Sequence, residues 1–324
     1  MDIKNNKIEN YKSKSIISLS KVTTIILLEN KEDIVSVSLD SKIIIFELKF
    51  YKTKLTINNL TNNTLLDVKE LKNNKLVVTS WDNTIIILQL FENNSKYEKI
   101  QTLNKHESFI NAIIEIKFEN ENYLASSSAD ASVIIWRLNK NNEKYDYFKT
   151  LKNTNNQIDS IIECKKHKEL ISSSHQDFTI CFYDIKTFNF ITKIEEIMVN
   201  RCIRALQIIN DDILICAGYF FIYLFNIENH QLINNIEYND NIEYNCVYLM
   251  KNGNILISEI MIGNDECSNI CQYSFDEQKK NLIKISSHQK MHKSYITSII
   301  ELENNEIITC GYDNLIKIWN YKSS

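Results

Sequence analysis

Short apolar runs recur along the whole chain, and their spacing is regular. The intervals between successive copies are 43, 45, 48, 45, 41 and 52 residues. Each copy is dense in β-branched residues, which favours a strand buried on both faces. The seven copies begin at Val22, Leu65, Ile110, Ile158, Ile203, Tyr244 and Ile296. A period of 40 to 50 residues that repeats seven times is typical of a repeat architecture.

Three further runs follow each copy except the last, which is followed by two. In the second unit they read KLVVTS, then TIIILQL after a tight turn, then the more polar YEKIQTL. The runs are too short for helices, and Asn clusters separate them at strand-like intervals. Four strands per unit at this period predict the blade of a β-propeller.

The predicted fold is all-β: a single seven-bladed β-propeller of four-stranded antiparallel blades over residues 1–324. The last unit ends just after its third strand, whereas residues 7–17 precede the first inner strand and have no assigned place. We expect this N-terminal strand to pair with the last blade and close the ring, which leaves no open sheet edge. The predicted blade cores are residues 18–58, 61–103, 106–151, 154–194, 199–236, 240–287 and 292–321.

Composition and charge add further expectations. The chain has no proline and only 4 glycines, so we expect asparagine to take many of the left-handed turn positions. The net charge of −4 without a long run of one sign argues against nucleic acid as a partner. No segment has 18 uncharged apolar residues in a row, and the N-terminus has no signal-peptide stretch, so membrane insertion is not expected. Single cysteines in strand-like runs fit a reducing compartment, which favours an intracellular location. Within the cell we expect the cytoplasm rather than the nucleus.

Four polar positions of two units resemble the WD-repeat family. That family has a His before the inner strand, a Ser or Thr in the second strand, an Asp in the next turn and a Trp in the third strand. The four positions are His106, Ser126, Asp130 and Trp136 in the third unit and His292, Thr309, Asp313 and Trp319 in the seventh. The resemblance implies that these side chains form a structural hydrogen-bonded tetrad within one blade. The other units keep only part of the pattern, and the fifth and sixth keep least.

Catalytic and metal-binding interpretations have little support in the sequence. Each His–Asp pair falls within its own unit, and no activated nucleophile lies beside it. Cys267 and Cys271 are four residues apart, but a zinc site needs a second pair of ligands. Phosphate-binding glycine motifs are absent. We therefore expect no catalytic residues, no cofactor and no metal.

The remaining candidate for a site is the rim that the family calls the top. The resemblance places there the residue before each turn Asp and the residues that flank the first apolar position of each inner strand. Five of them are residue types that dominate interface energies: Trp81, Phe109, Arg204, Tyr295 and Tyr312. Trp81 stands out because it lies in a turn and belongs to neither tetrad. Its alternative role is to pack sideways on the hairpin around Asp130 of the next unit.

Three functions compete. The first is a non-catalytic protein–protein interaction scaffold that docks partner peptides or domains on the top rim, as a single ring within a larger complex. The alternative is a substrate-recognition or adaptor subunit of a multiprotein complex, such as a ubiquitin ligase or a cytosolic assembly machinery. The third is an enzyme that uses the central channel, which is disfavoured because Lys21, Asp159, Arg204 and Glu243 form no convergent set at the inner-strand starts.

Overall fold

The computed structural model describes residues 7–8, 14–17, 20–174, 176, 178–195, 202–237, 241–262, 267–303 and 305–322. All regular structure in these residues is strand, and the strands form seven antiparallel sheets. The chain divides into two compact units, residues 26–206 and residues 1–25 with 207–324, and the divisions fall inside β3 and β19 as bounded below. The prediction of an all-β chain with seven four-stranded blades is confirmed.

Residues 26–206 hold the first four blades, each with its strands hydrogen-bonded in chain order from the inner strand outwards. The strands are β3 Val22–Leu27, β4 Asp33–Ser38, β5 Ile43–Glu47, β6 Lys52–Ile57, β7 Leu65–Leu71, β8 Lys75–Ser80, β9 Ile85–Phe91, β10 Lys96–Leu103, β11 Ile110–Phe118, β12 Glu121–Ser128, β13 Val133–Asn139, β14 Lys144–Leu151, β15 Ile158–Cys164, β16 Glu169–Ser174, β17 Thr179–Asp184 and β18 Phe190–Glu195.

The other unit holds the fifth, sixth and seventh blades and the N-terminal strands. Its strands are β19 Ile203–Ile209, β20 Ile213–Gly218, β21 Phe221–Asn226, β22 Gln231–Glu237, β23 Ile242–Leu249, β24 Ile255–Met261, β25 Ser268–Asp276, β26 Asn281–His292, β27 Ile296–Glu301, β28 Glu306–Gly311 and β29 Leu315–Lys322, together with β1 Lys7–Ile8 and β2 Lys14–Ile17.

The N-terminal segment supplies the outer strand of the seventh blade, as predicted. β1 pairs antiparallel with the end of β29, Ile8 opposite Tyr321, and β2 pairs with its beginning, Ile17 opposite Leu315. β1 and β2 both lie within the strand over residues 7–17 that the sequence predicted; residues 9–13 lie outside the described residues. These pairings cover the edge of β29, which would otherwise expose its unpaired backbone groups.

Burial follows the position of each strand in its blade. Inner strands bury every third residue, as in β15 and β19, and the second strands β4, β16 and β20 are buried throughout. Outer strands such as β18 are mostly exposed. The core consists of apolar layers between neighbouring blades, for example from Val35 to Val78 and from Leu256 to Ile299. Burying each such side chain contributes about 1.5–3 kcal/mol, so the stacking of blades stabilises sheets that could not bury both faces alone.

The turn between the second and third strands has the same conformation in several blades. The residue after the turn Asp has a positive φ: 63° at Ser41, 68° at Asn83, 64° at Ala131 and 64° at Asn314. Nine asparagines adopt positive φ among the described residues, which bears out the expectation that asparagine replaces glycine in this chain.

Candidate functional site

The end of a blade that carries the turn between the second and third strands is called its turn end below. One backbone contact recurs there and fixes the first residue of the turn beside the residue that precedes the inner strand. The N–H of Trp81 donates to the carbonyl of Thr64 at 2.8 Å, and that of Tyr312 donates to Tyr295 at 3.0 Å. The N–H of Ala129 makes the same contact with Phe109 at 3.0 Å. Positions that the sequence placed on one rim therefore lie together within each of these blades.

The third blade holds a continuous chain of four polar side chains. His106 Nδ1 lies 2.8 Å from Asp130 Oδ2, and His106 Nε2 lies 2.8 Å from Ser126 Oγ. The indole N–H of Trp136 donates to Ser126 Oγ at 3.0 Å. Because a carboxylate only accepts, Nδ1 carries the proton, and Nε2 then accepts from the Ser126 hydroxyl. This assignment leaves each buried polar atom of the tetrad with a partner.

The electrostatics of Asp130 match that assignment. Burial raises the pKa of its carboxyl, but hydrogen bonds from His106, Ser132 and the backbone N–H of Glu107 outweigh burial, and the net pKa lies well below the usual range. The carboxylate is thus held ionised beside a side chain that it orients.

The seventh blade repeats the arrangement with threonine as the central hydroxyl. His292 lies 2.8 Å from both Asp313 Oδ1 and Thr309 Oγ1, and Trp319 donates to Thr309 Oγ1 at 2.9 Å. Burial lowers the pKa of His292, which favours the neutral imidazole. Burial raises the pKa of Asp313, but the hydrogen bonds from His292 and the Lys293 backbone N–H, together with the nearby charge of Lys317, outweigh burial and lower it. Both networks are closed within a blade, as a structural role requires, and we propose that role for all eight residues.

Trp81 and Phe109 form one aromatic pair at the turn ends of the second and third blades. Trp81 is 51% exposed, and its ring meets that of Phe109 edge-on, with the centroids 5.4 Å apart. Phe109 is half-buried and precedes β11. The indole ring contacts Phe109, and half of its surface is left open to solvent. An exposed aromatic surface of this kind is a frequent mark of a partner site.

Tyr295 and Tyr312 form a second aromatic pair, within the seventh blade. Their ring centroids are 6.3 Å apart at an angle of 67°. The Tyr295 hydroxyl donates to Oε2 of Glu243 at 2.9 Å, and Glu243 is buried. Lys21 Nζ lies 5.5 Å from the centroid of the Tyr312 ring. Both tyrosines are half-buried.

Arg204 differs from the other candidates because a carboxylate of the neighbouring blade lies close to its guanidinium group. Its Nη1 lies 3.8 Å from Asp159 Oδ2, and the side chain is 33% exposed. Asp159 also accepts from Gln157 at 2.5 Å and from Asn111 at 3.3 Å. The guanidinium therefore belongs to a polar row at the starts of the inner strands β11, β15 and β19, with part of its surface accessible.

Cys267 and Cys271, the two positions considered for metal binding, are free thiols. Cys271 is buried and its thiol lies 3.3 Å from Ser287 Oγ; burial raises its pKa to about 11. Within the described ranges, no three His, Cys, Asp or Glu side chains are grouped closely enough to hold a metal ion. The described residues also contain no helix that could cross a membrane.

Comparisons with known proteins agree with this architecture. The family model for the WD domain, G-beta repeat, matches residues 97–137 and 282–320, the two stretches that contain the complete tetrads. No curated protein matches the chain. The crystal structure of the WD40 β-propeller domain of Doa1 superposes with a TM-score of 0.70 and 16% sequence identity, covering 94% of this chain and 93% of that chain.

The blades and this likeness define a seven-bladed β-propeller. Two stretches of the chain, those with the complete His–Asp–hydroxyl–Trp networks, are similar to the WD domain, G-beta repeat, within that class of fold.

Sequence reasoning did not identify two residues that shape the seventh turn end. A Cβ on Gly311 would lie 2.4 Å from the Tyr295 carbonyl oxygen, so only glycine allows the turn to approach the start of β27. Lys293 is exposed and its backbone N–H donates to Asp313 Oδ2 at 3.0 Å. Glycine is scarce in this chain, with only 4 in total, and this scarcity is the sequence signal that could have pointed to Gly311.

Proposed function

We propose that the protein is a docking platform for other proteins and that partner segments bind at the turn ends of its blades. WD40 propellers are generally non-catalytic interaction scaffolds, and the fold supports that general role. The proposal that partners bind at the turn ends rests on one observation: the indole of Trp81 is half exposed to solvent and contacts Phe109. Arg204 and the pair Tyr295–Tyr312 are further candidate contacts. A rigid β-sheet framework loses little conformational entropy on binding, which suits this role.

Capture of partners from the native cell tests this proposal. Tagged wild-type chain is compared with the double variant Trp81→Ala/Tyr312→Ala, and bound proteins are quantified by mass spectrometry. Removal of two aromatic contacts should weaken binding by at least about 2 kcal/mol, roughly 30-fold, if either is a hot spot. Thermal unfolding of the variant should remain close to that of wild type, because both rings lie at turns.

Phe50 provides the matched control. It is 62% exposed and lies in the turn between β5 and β6, at the opposite end of its blade. The variant Phe50→Ala should capture the wild-type set of partners. Unchanged capture by the Trp81/Tyr312 variant would exclude the turn ends as the docking surface. A ligase core or an assembly machinery among the captured proteins would specify the adaptor form of the same function.

We also propose that the protein acts inside the cell, in the cytoplasm rather than the nucleus, as one copy within a larger complex. All eight cysteines are free thiols, and five of them are buried, which fits a reducing compartment. Microscopy of a fluorescent fusion in the native cell tests the location, and accumulation in the nucleus or in a secretory organelle would contradict it.

A further inference from the structure

We propose that the turn end of the seventh blade binds an acidic segment of a partner protein. The surface consists of Lys21, Lys293, Tyr295 and Tyr312 and is called the Tyr312 surface below. The inference rests on the proposed docking function and adds the chemistry of the partner at one site.

The Tyr312 surface combines two aromatic rings with two exposed ammonium groups. Tyr295 and Tyr312 meet edge to face, and Lys21 is held over the Tyr312 ring. Lys21 and Lys293 are both exposed. Tyrosine rings supply rigid contact area at low entropic cost, and lysines supply charge that steers an acidic partner.

Backbone and buried side chains fix the positions of all four residues. The buried carboxylate of Glu243 accepts from the Tyr295 hydroxyl and so orients that ring. Thr297 Oγ1 donates to the carbonyl of Val22 at 2.9 Å, which anchors the chain next to Lys21. Lys293 is anchored through its backbone N–H to Asp313, so its side chain takes no part in that bond. A surface built in this way pays little ordering entropy on binding.

Two carboxylates in contact with the Tyr312 surface, Glu243 and Asp313, are already engaged within the fold. Glu243 is bonded to Tyr295, and Asp313 accepts from His292 and from the Lys293 backbone. Among the residues that the structure describes, the charges that the Tyr312 surface presents to solvent are therefore those of its two lysines. Because a positive patch selects a negative one, the complementary partner segment carries aspartate or glutamate.

The third blade provides an internal contrast at the same structural position. The backbone N–H of Glu107 donates to Asp130 Oδ2 at 2.9 Å, as that of Lys293 does to Asp313. Both residues are exposed and lie two positions before the residue that precedes the inner strand, Phe109 or Tyr295. The blade framework thus accepts either sign of charge at this position. The lysine of the seventh blade is a feature of its surface and not a requirement of the fold.

A protein segment fits this surface better than a nucleic acid. Binding of a single strand requires a basic groove that follows the phosphate backbone over several nucleotides. Two lysines on a chain of net charge −4 do not provide such a track.

Fluorescence anisotropy with the full chain tests the proposal. The probe is a short fluorescein-labelled peptide of alternating glutamate and tyrosine, measured at low and at physiological salt. We expect wild type to bind this probe, the matched lysine–tyrosine peptide to bind at least about tenfold more weakly, and the affinity to fall with added salt. A short oligo-dT serves as the nucleic-acid probe and should not bind.

Four variants locate the site. Lys21→Gln/Lys293→Gln should weaken binding of the glutamate–tyrosine probe by about tenfold, and Tyr312→Ala should weaken it at least as much. Lys21→Arg/Lys293→Arg should restore binding, which shows that the neutral variant lost charge and not structure. Glu107→Gln, the matched change in the third blade, should bind like wild type.

Several results would overturn the inference: no binding of the acidic probe, equal binding of the lysine–tyrosine peptide, tighter binding of oligo-dT, or wild-type affinity in the Gln double variant. The docking function is tested separately. If Lys21→Gln/Lys293→Gln still captures cellular partners and the Trp81/Tyr312 variant does not, docking stands and the acidic specificity fails. If neither variant alters capture, the docking function itself fails at both surfaces.

Discussion

Ser126 is the central hydroxyl of the tetrad in the third blade, and its removal should be costly. It is fully buried and connects the imidazole of His106 to the indole of Trp136. In Ser126→Ala, His106 Nε2 and Trp136 Nε1 lose this hydroxyl partner while the methyl group of alanine keeps most of the packing. An unsatisfied buried polar group costs about 1–3 kcal/mol. We therefore expect Ser126→Ala to lower the free energy of unfolding by about 2–4 kcal/mol.

The adjacent residue supplies a control of the same type and burial. Ser127 is also fully buried in β12, but no hydrogen-bond partner of its hydroxyl is found among the described residues. Replacing an unsatisfied buried hydroxyl by hydrogen removes a desolvation cost. Ser127→Ala should therefore leave stability unchanged or raise it by up to about 1 kcal/mol. Two neighbouring Ser→Ala changes thus have opposite expected signs.

Urea-induced unfolding followed by tryptophan fluorescence and circular dichroism measures both variants. A double-mutant cycle with Trp136→Phe isolates the contact between the indole and the hydroxyl, and its coupling energy should exceed about 0.5 kcal/mol. Equal stability losses for the two serine variants would refute the reasoning, since burial and volume alone would then explain the effect. A zero coupling energy would show that the indole N–H gains nothing from Ser126.

Three further predictions concern other parts of the fold. Because burial lowers the pKa of His292, the unfolded chain takes up a proton there that the folded chain does not, so the free energy of unfolding should fall as the pH drops below about 6.5. Urea titrations at several pH values measure this dependence, and the free energy of unfolding of His292→Gln should fall less steeply with decreasing pH. Gly311→Ala places a Cβ 2.4 Å from a backbone oxygen and should cost about 2–3 kcal/mol in thermal unfolding, against about 1 kcal/mol for Gly253→Ala, where φ is positive but no atom lies within 4 Å. Asp33, fully buried, accepts two 2.9 Å bonds from Lys54, so Asp33→Ala should destabilise by about 3–5 kcal/mol in urea unfolding, and a loss below about 1 kcal/mol would contradict a buried ion pair.

Local sequence patterns predicted much of the fold. The repeated apolar runs located all seven inner strands, because a short apolar run rich in β-branched residues favours a strand buried on both faces. The tetrad residues were recognisable because their spacing matches one blade, and their hydrogen bonds are made within that blade. The turn Asp followed by a left-handed residue is likewise a short-range feature. The sequence therefore determined which strands pair and where each turn lies.

Contacts between blades were decided by the tertiary structure. Tyr295 and Glu243 are 52 residues apart in the chain, and nothing in their local sequence indicates that a hydroxyl of one blade reaches a carboxylate of another. Asp33 and Asn94 are 61 residues apart and form a buried 2.8 Å hydrogen bond. The packing of Trp81 on Phe109 depends in the same way on how two sheets stack. The physical reason is that strand pairing is fixed by backbone hydrogen bonds and a two-residue period, whereas side-chain contacts across blades depend on the distance and angle between sheets, which emerge only when the apolar layers pack.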